Sequence, residues 1–386
     1  MNPLPLTAQK AFLVSCLNAS LYGDQQKQYS PDPFPGDWQG IEALAEYHSV
    51  APLVYREVER HQIQIPVRLR QQFKALVLRH RQANRIRFQC LAEIDELLAR
   101  HDIALLVLKG AALAHLVYDE EYLRPMSDLD LLVPADKAGH AARLLKKLGY
   151  SMAHGLHRYN HRPHHLPGME KQVNGLHVSV ELHQDVMSRD SRFSMTRADL
   201  REKPQAFSCA GRQLHAFNHT DMLRHLCVHS FSPSRELRLI HLYDIMAYAA
   251  KFADRIKWKQ LRADYPYVIN GIRCIHFILS CPDQVAEQVD PPACRAPKES
   301  GQAMKPLSTI FATDMSVSAI CKELFLPSPW WKHAYYGIRP EDSLACCHLL
   351  THPAMVCRWL WLRALSALHT RLRGNIPAAL PEIPKS

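Results

Sequence analysis

The sequence lacks the cysteine spacing that would indicate a disulfide framework or a zinc site. Its 11 cysteines are scattered without a C-x-x-C pair, and only Cys346 and Cys347 are adjacent. This pattern is typical of a reduced, intracellular chain. The sequence also contains no internal repeat and no low-complexity tract.

Long apolar runs are also missing. No uninterrupted apolar stretch is long enough to span a bilayer, so no transmembrane segment is expected. The apolar patch "AFLVSCLNASLYG" follows a lone Lys10 and carries a weak cleavage signal. An amphipathic first helix is therefore favoured over a secretory leader. We expect a cytoplasmic protein.

The overall composition is that of a folded protein with a positive net charge. The 386 residues are 47% hydrophobic, which gives room for two or three domains. Lys and Arg number 47 against 37 Asp and Glu, for a net charge of +10. This excess favours anionic partners such as nucleotides, nucleic acid or acidic lipid. Because the basic residues are spread along the chain, simple solubility explains the charge equally well.

Hydrophobic periodicity divides the chain into five regions. They are an N-terminal helical region (1–100), an α/β core (101–215), a helical region packed on the core (216–281), a linker or long loop (282–306) and a C-terminal helical region (307–386). Within the core, strands are predicted near 103–108, 128–133 and 176–183, with an extra hairpin between the last two. The expected fold class is α+β: a minimal α/β core, with a short mixed sheet, flanked by helical regions.

The strand "DLDLLV" carries the first candidate site. Alternation along a strand sends Asp128 and Asp130 to one face. Two like charges at that spacing repel, and a divalent cation with oxygen ligands is their usual counter-charge. Glu181, in the alternating strand "VSVELHQDV", is the candidate third carboxylate. Three acids with Mg²⁺ carry out phosphoryl and nucleotidyl transfer.

The stretch "LVLKGAAL" is a candidate phosphate-binding turn. Gly110 allows a phosphate to approach the backbone, the following helix offers free N–H groups, and Lys109 adds a positive charge. Arg124, four residues before the first aspartate, could add a guanidinium fork. Each of these motifs is weak when it is taken alone.

The order of the motifs resembles the polymerase-β-type nucleotidyltransferase superfamily. A strand ending in Lys-Gly is followed by a helix, the strand motif Arg-x-x-Ser-Asp-x-Asp, a helix ending at Gly149 and Tyr150, and a Glu-x-His strand. More specifically, the chain resembles the bacterial NTP_transf_5 group. The flanking segments "DWQGIEALAEYHSVAPLVYREV" and "LRLIHLYDIMAYAAK" resemble helices that precede and follow the domain there. The resemblance covers about residues 38–279.

The resemblance implies roles for particular residues. Asp128 and Asp130 would ligate Mg²⁺ or Mn²⁺, and Glu181 would complete the acidic triad, either by holding the second metal or by helping to deprotonate the acceptor. Lys109 and Gly110 stand where the superfamily has a Gly-Gly or Gly-Ser turn, which is a departure from the pattern. Arg124 and Ser127 belong to the motif and would support the phosphates or the metal ligands: these two, with Lys109 and Gly110, are the predicted nucleotide-binding residues.

The predicted activity is transfer of an NMP from an NTP to a hydroxyl or phosphate of an acceptor, with release of pyrophosphate. The acceptor is RNA or tRNA, a peptide or protein, or a small molecule, and the positive chain suits an anionic one. The alternative is a non-catalytic nucleotide- or RNA-binding protein that keeps the fold. A third hypothesis assigns RNA binding to the basic C-terminal helix around Trp359 and Trp361.

Some polar residues keep two interpretations. His183 either orients Glu181 or contacts substrate, or else it is a buried histidine bonded to a backbone carbonyl. The histidines between residues 154 and 177 suggest a zinc site, but a polar hairpin near the active site is favoured. Asp244 either pairs with Arg238 across turns of a helix or reaches back into the cleft.

Overall fold

The computed structural model describes residues 8–23, 38–152, 164–187, 195–200, 202–232, 236–297, 300–302 and 316–374. In these residues a five-stranded mixed sheet and a two-stranded sheet lie among α-helices. The predicted fold class, an α+β protein with helical regions around a small sheet, is confirmed. The domain boundaries stay a prediction.

The N-terminal region is helical, as predicted. Its helices are α1 (Ala8–Tyr22), α2 (Ile41–Tyr47), α3 (Ala51–Arg60) and α4 (Val67–Ala99). Ser49 has a φ of 58°, and this left-handed residue separates α2 from α3 within one apolar-periodic run. The 33-residue α4 buries one face along most of its length. The connector "YSPDPFPGDW" lies outside the described residues except for Trp38.

The central sheet has the strand order β1-β2-β5-β4-β3. Its strands are β1 (Leu106–Val107), β2 (Asp128–Leu132), β3 (Ser151–Met152), β4 (Met169–Val173) and β5 (Leu176–His183), with α5 (Lys109–Leu116) and α6 (Ala138–Lys147) between strands. The strands predicted near 128–133 and 176–183 are present. The strand predicted over 103–108 shortens to β1, and Ile103 and Leu105 before it are buried outside the strand. The antiparallel pair β3–β4 is the expected extra hairpin.

Strands β2 and β5 pair in parallel, and their register positions the candidate acids. Asp130 lies opposite Glu181, and Asp128 lies opposite Ser179. Leu129 and Leu131 point to the other face and are fully buried, as the alternation predicts. Carboxylates 51 positions apart in sequence therefore share one face of the sheet.

The region predicted as the α/β core ends with an element that the sequence pattern did not predict. Strands β6 (Gln205–Cys209) and β7 (Arg212–Ala216) form a hairpin. Its two-residue turn, Ala210 and Gly211, has φ values of 47° and 78°, the combination found in type I′ hairpins. The helices that follow are α7 (His219–Ser230), α8 (Leu239–Lys251), α9 (Trp258–Asp264) and α10 (Pro266–Ile275).

The segment 282–306, expected to be a linker or long loop, contains the helix α11 (Asp283–Val289). Val285 and Val289, one turn apart, are buried against the preceding helices. The prolines and charged residues around this pair obscure the helical periodicity in the sequence, so the helix was not predicted.

The C-terminal helices are α12 (Val317–Phe325), α13 (Pro329–Tyr336) and α14 (His352–Gly374). Trp330 is fully buried, and its indole Nε1 donates to the Cys274 carbonyl of α10 at 2.9 Å. Trp361 on α14 is 61% exposed, while the side chains of Arg363, Arg371 and Arg373 lie outside the described residues. Across the described chain, every helix is too short or too polar to cross a membrane.

Candidate active site

Asp130 is the centre of the candidate site. It is buried, with 5% of its surface exposed. Its Oδ1 lies 2.6 Å from the Lys109 ammonium and 2.9 Å from the His183 Nε2. Oε2 of Glu181 lies 3.6 Å from the same Nε2. Ligand atoms of Asp130, Glu181 and His183 all fall within 4.8 Å of one another.

The charges in this cluster compensate one another. Burial alone would raise the pKa of Asp130, but Lys109 and His183 hold it well below its usual value. The hydrogen bond from His183 is the main cause of the lowered pKa of Glu181. Burial would lower the pKa of His183, yet its bonds to both carboxylates raise it. His183 Nε2 therefore donates to ionised acids, which supports its predicted role of orienting Glu181.

Asp128 stands apart from this cluster. Its Oδ1 accepts a hydrogen bond from the Ser127 hydroxyl at 3.1 Å. Burial raises the pKa of Asp128, and the negative charges of Asp130 and Glu181 raise it further. A positive charge is supplied by Arg87 of α4, a buried residue that acts electrostatically on Asp128. Lys109 and the hydrogen bond from Ser127 act in the opposite direction, but the pKa of Asp128 stays raised.

The turn before α5 brings the predicted phosphate-binding residues beside Asp130. Lys109 has a φ of 49°, a left-handed conformation that costs a non-glycine residue about 1 kcal/mol or more. Its side chain is buried because the ammonium pairs with Asp130. A Cβ on Gly110 would lie 3.4 Å from Nη1 of Arg124, so the absence of a side chain there keeps the turn close to the guanidinium.

Removing the Lys109 charge is expected to destabilise the protein. In Lys109→Met, Asp130 keeps only His183 as a cationic partner, and a buried carboxylate loses a short charged hydrogen bond. We expect the free energy of unfolding in urea to fall by about 2 kcal/mol. Lys137→Met is the control, because that ammonium bonds a backbone carbonyl at the exposed end of α4. Equal stability of Lys109→Met and wild type would contradict the ion pair.

The Arg124 guanidinium, which was predicted to bind phosphate, is bonded to groups of the protein. It is buried, and its Nε and Nη2 donate to the Asp244 carboxylate at 2.7–2.9 Å. Its Nη1 bonds the Pro125 carbonyl. The Tyr118 hydroxyl donates to the same carboxylate at 2.5 Å. Much of the guanidinium fork is therefore used inside the protein, and phosphate binding by Arg124 stays a prediction.

The interpretation that Asp244 pairs with Arg238 is wrong. Arg238 precedes α8 and contacts Glu236 and Ser49, whereas Asp244 points into the cavity and pairs with Arg124. Six residues of separation do not place two side chains on the same side of a helix. The alternative, that Asp244 reaches back into the cleft, is the correct one.

A cavity of about 520 Å³ opens over these residues. Six of the predicted site residues line it: Lys109, Gly110, Arg124, Ser127, Asp128 and Asp130. Glu181 and His183 lie against Asp130, outside the lining. Residues from α2, α4, α7 and α8 form the opposite wall. The predicted metal and phosphate residues thus share one cavity.

The histidine-rich stretch is described only at its end. His154, His157 and His161 lie outside the described residues. The rings of His164 and His165 lie 5.4 Å from that of His183, so this end of the stretch adjoins the candidate site. In the part of the chain that the structure describes, the group that could hold a metal ion consists of Asp130, Glu181 and His183. This group contains no histidine of the 154–177 stretch, so it does not support a zinc site there.

Of the three predicted carboxylates, Asp130 and Glu181 belong with His183 to the group whose ligand atoms lie within 4.8 Å of one another, and Asp128 is not in that group. Asp128, Asp130 and Glu181 offer carboxylate oxygens, the ligands that Mg²⁺ and Mn²⁺ prefer. Burial, followed by the negative charge of Asp130, raises the pKa of Asp128, and a bound cation would lower it. The Lys109 ammonium beside Asp130 already occupies one position that a cation would take.

Asn84 and Asp244 hold the site in place, and of these two the sequence indicated only Asp244, as a residue that could reach into the cleft. Asn84 on α4 donates to the carbonyls of Glu121 and Arg124, which fixes the loop leading into β2. Asp244 anchors the same loop to α8. An acid inside the apolar run "LIHLYDIMAYAA" was the one available signal for Asp244. Asn84 lies in a polar stretch of α4 and offered none.

Comparison with protein families finds a match. A model described as an uncharacterised nucleotidyltransferase, NTP_transf_5, matches residues 35–265, which is more than half of the chain. Comparisons with curated proteins and with solved structures find no match. The matched segment contains the central sheet, the cavity and all the predicted site residues.

Proposed function

The chain belongs to the NTP_transf_5 family of nucleotidyltransferases, and from this premise we propose that it is a metal-dependent enzyme that transfers an NMP from an NTP to an acceptor. The observation that carries the proposal is the convergence of Asp128, Asp130 and the Lys109–Gly110 turn on one cavity, with Glu181 beside Asp130 on the neighbouring strand. The acceptor offers a hydroxyl or a phosphate oxygen, and pyrophosphate leaves.

Each side chain has a role in this proposal. Asp128, Asp130 and Glu181 would hold Mg²⁺ or Mn²⁺, which when bound neutralises phosphate charge and lowers the barrier to displacement. Lys109, freed from Asp130, would pair with the triphosphate, and Gly110 would allow it to approach the backbone. His183 would keep Asp130 and Glu181 ionised and oriented. Ser127 would hold the carboxylate of Asp128.

Arg124 takes a modified role. Its bonds to Asp244 fix the loop that carries Ser127 and Asp128, and its place in the cavity lining lets the guanidinium act electrostatically on the phosphates. A buried charge screened by little water acts over a longer distance than an exposed one. Arg124 is therefore proposed to bind phosphate by charge more than by direct hydrogen bonds.

Thermal stability in the presence of metal and nucleotide tests the proposal. Mg²⁺ with ATP or another NTP is expected to raise the melting temperature of the wild type, because a ligand at roughly 100 times its Kd stabilises the folded state by about 2.7 kcal/mol. EDTA should remove the shift, and Asp130→Asn should show none. Calorimetry measures the same binding directly.

Three results would distinguish the alternatives. Binding with release of pyrophosphate and a labelled acceptor supports the enzyme. Binding that Asp130→Asn retains, without product, supports a non-catalytic nucleotide-binding protein. Salt-sensitive RNA affinity that survives Asp128→Ala, without NTP binding, assigns the function to RNA binding by the basic C-terminal helix.

A further inference from the structure

The wall of the cavity opposite the acids carries its own hydrogen-bonded pair. Glu46 of α2 and His80 of α4 both line the cavity. Nε2 of His80 lies 2.8 Å from Oε2 of Glu46, and Arg79 contacts the other carboxylate oxygen. None of these residues belongs to the predicted metal or phosphate site.

The side of α4 that faces the cavity carries His80. Residues 80, 84 and 87 are spaced so that they lie on one side of a helix. Asn84 holds the loop that leads to Asp128, and Arg87 acts electrostatically on Asp128 itself. His80 lines the same cavity one turn before Asn84 and two turns before Arg87.

The contact with Glu46 determines which imidazole nitrogen is protonated. Burial would raise the pKa of Glu46, but the bonds to His80 and Arg79 lower it, so the carboxylate is ionised and can only accept. Nε2 of His80 therefore carries the proton. A nitrogen of Arg79 also approaches Nε2, but at 3.4 Å against 2.8 Å for Glu46, so the shorter and charged hydrogen bond prevails. In the neutral ring, Nδ1 keeps the lone pair.

We propose that His80 is the general base that activates the acceptor and that Glu46 is its positioning residue, which makes the acceptor a hydroxyl compound. The proposal rests on the proposed nucleotidyl transfer. Nδ1 takes the proton as the acceptor O–H bond breaks, the acceptor oxygen forms a bond to the α-phosphorus, and the bond to the β-phosphate breaks with its electron pair leaving on pyrophosphate. A carboxylate that fixes one imidazole nitrogen and leaves the other as a base is an arrangement that general-base catalysis uses.

The presence of a base discriminates between the two acceptor classes left open above. A phosphate oxygen is already anionic at neutral pH and needs no deprotonation. A hydroxyl with a pKa far above 7 gains from a positioned base, typically by 10²–10⁴-fold. A His–Glu pair on the acceptor side therefore selects an alcohol, such as a sugar, a nucleoside end or a hydroxyl side chain.

The experiment combines a spectroscopic and a kinetic measurement on the full chain. Long-range ¹H–¹⁵N NMR, with the His80 signals assigned by their loss in His80→Asn, should show protonated Nε2 and unprotonated Nδ1. Kinetically, AMP formation from Mg²⁺–ATP is measured with water and added glycerol as hydroxyl probes. His80→Asn is expected to slow it by about 10²-fold, with the calorimetric Kd for Mg²⁺–ATP unchanged.

Matched variants separate the role of the pair from general damage. Glu46→Gln should alter the NMR tautomer of His80 and slow AMP formation, again without a change in the Kd. Glu42→Gln, one turn earlier on α2 and bonded to Gln72, controls for loss of an acid on that helix. His101→Asn, at the exposed end of α4, controls for loss of a histidine.

The outcomes are distinct. Protonated Nδ1 in the wild type, or unchanged AMP formation in His80→Asn, overturns the assignment of His80 as the base. A wild type that binds Mg²⁺–ATP and forms no AMP or glycerol adduct overturns it as well, because both probes are hydroxyl compounds. A wild type that does not bind Mg²⁺–ATP instead overturns the proposed nucleotidyl transfer.

Discussion

Asp130→Asn is expected to slow nucleotidyl transfer by about 10³-fold, since metal-ion stabilisation of transition-state charge is worth several kcal/mol and each ~1.4 kcal/mol corresponds to a factor of ten. Asp130 lines the cavity and contacts both Lys109 and His183. His183 in turn contacts Glu181, so Asp130 is linked to the third carboxylate as well. The amide keeps the shape of the side chain and removes its charge. Pyrophosphate release from ATP with Mg²⁺ measures the effect.

The matched control for this variant is Asp136→Asn, an exposed aspartate in the turn after β2. It should retain wild-type activity, because its charge is solvated and away from the cavity. Circular dichroism and the urea unfolding curve of Asp130→Asn establish that the variant is folded. A folded Asp130→Asn that keeps more than a tenth of the wild-type rate would remove Asp130 from the catalytic machinery.

Asp244→Ala is expected to lower the free energy of unfolding by about 3–5 kcal/mol, the range found when one partner of a buried ion pair is removed. The change leaves the Arg124 guanidinium buried without its bidentate partner and the Tyr118 hydroxyl without its acceptor. The loop before Asp128 loses its anchor on α8. Urea denaturation followed by fluorescence or circular dichroism measures the loss.

A double substitution tests the cause of that loss. Arg124→Met with Asp244→Leu replaces both charges by apolar side chains, and burying two such groups is often nearly neutral. The double variant should therefore be more stable than Asp244→Ala, although its activity should fall because Arg124 lines the cavity. Asp254→Ala, at an exposed position after α8, controls for the loss of an acid. A loss in Asp244→Ala no larger than in Asp254→Ala would contradict the buried pair.

Local patterns in the sequence were sufficient for the elements that carry the acids. Strands β2 and β5 follow from alternation of apolar and polar residues, because one face of each strand packs on the core and the other faces the site. Helices α4, α5 and α6 follow from apolar residues at three- and four-residue spacing. The two-residue β1 and the hairpin β6–β7 did not follow, since such short strands contain too few alternating positions.

Partners distant in sequence could not be read from it. Arg124 and Asp244 are 120 residues apart, and each has several oppositely charged residues closer in the chain. Glu46 and His80 are 34 residues apart on separate helices, and no motif connects them. Their pairing depends on how α2, α4 and α8 pack, which is decided by the whole core rather than by local spacing.

By itself the sequence determined the chemistry that is available: an Asp-x-Asp strand, a Glu-x-His strand, a Lys-Gly turn and the order in which they occur. Side-chain alternation with a period of two fixes which residues share a strand face. Only the tertiary structure decided the parallel register that sets Asp130 against Glu181, the ion pair that buries Arg124, and the second wall of the cavity. Register and long-range pairing are collective results of packing, and no short segment contains the information that specifies them.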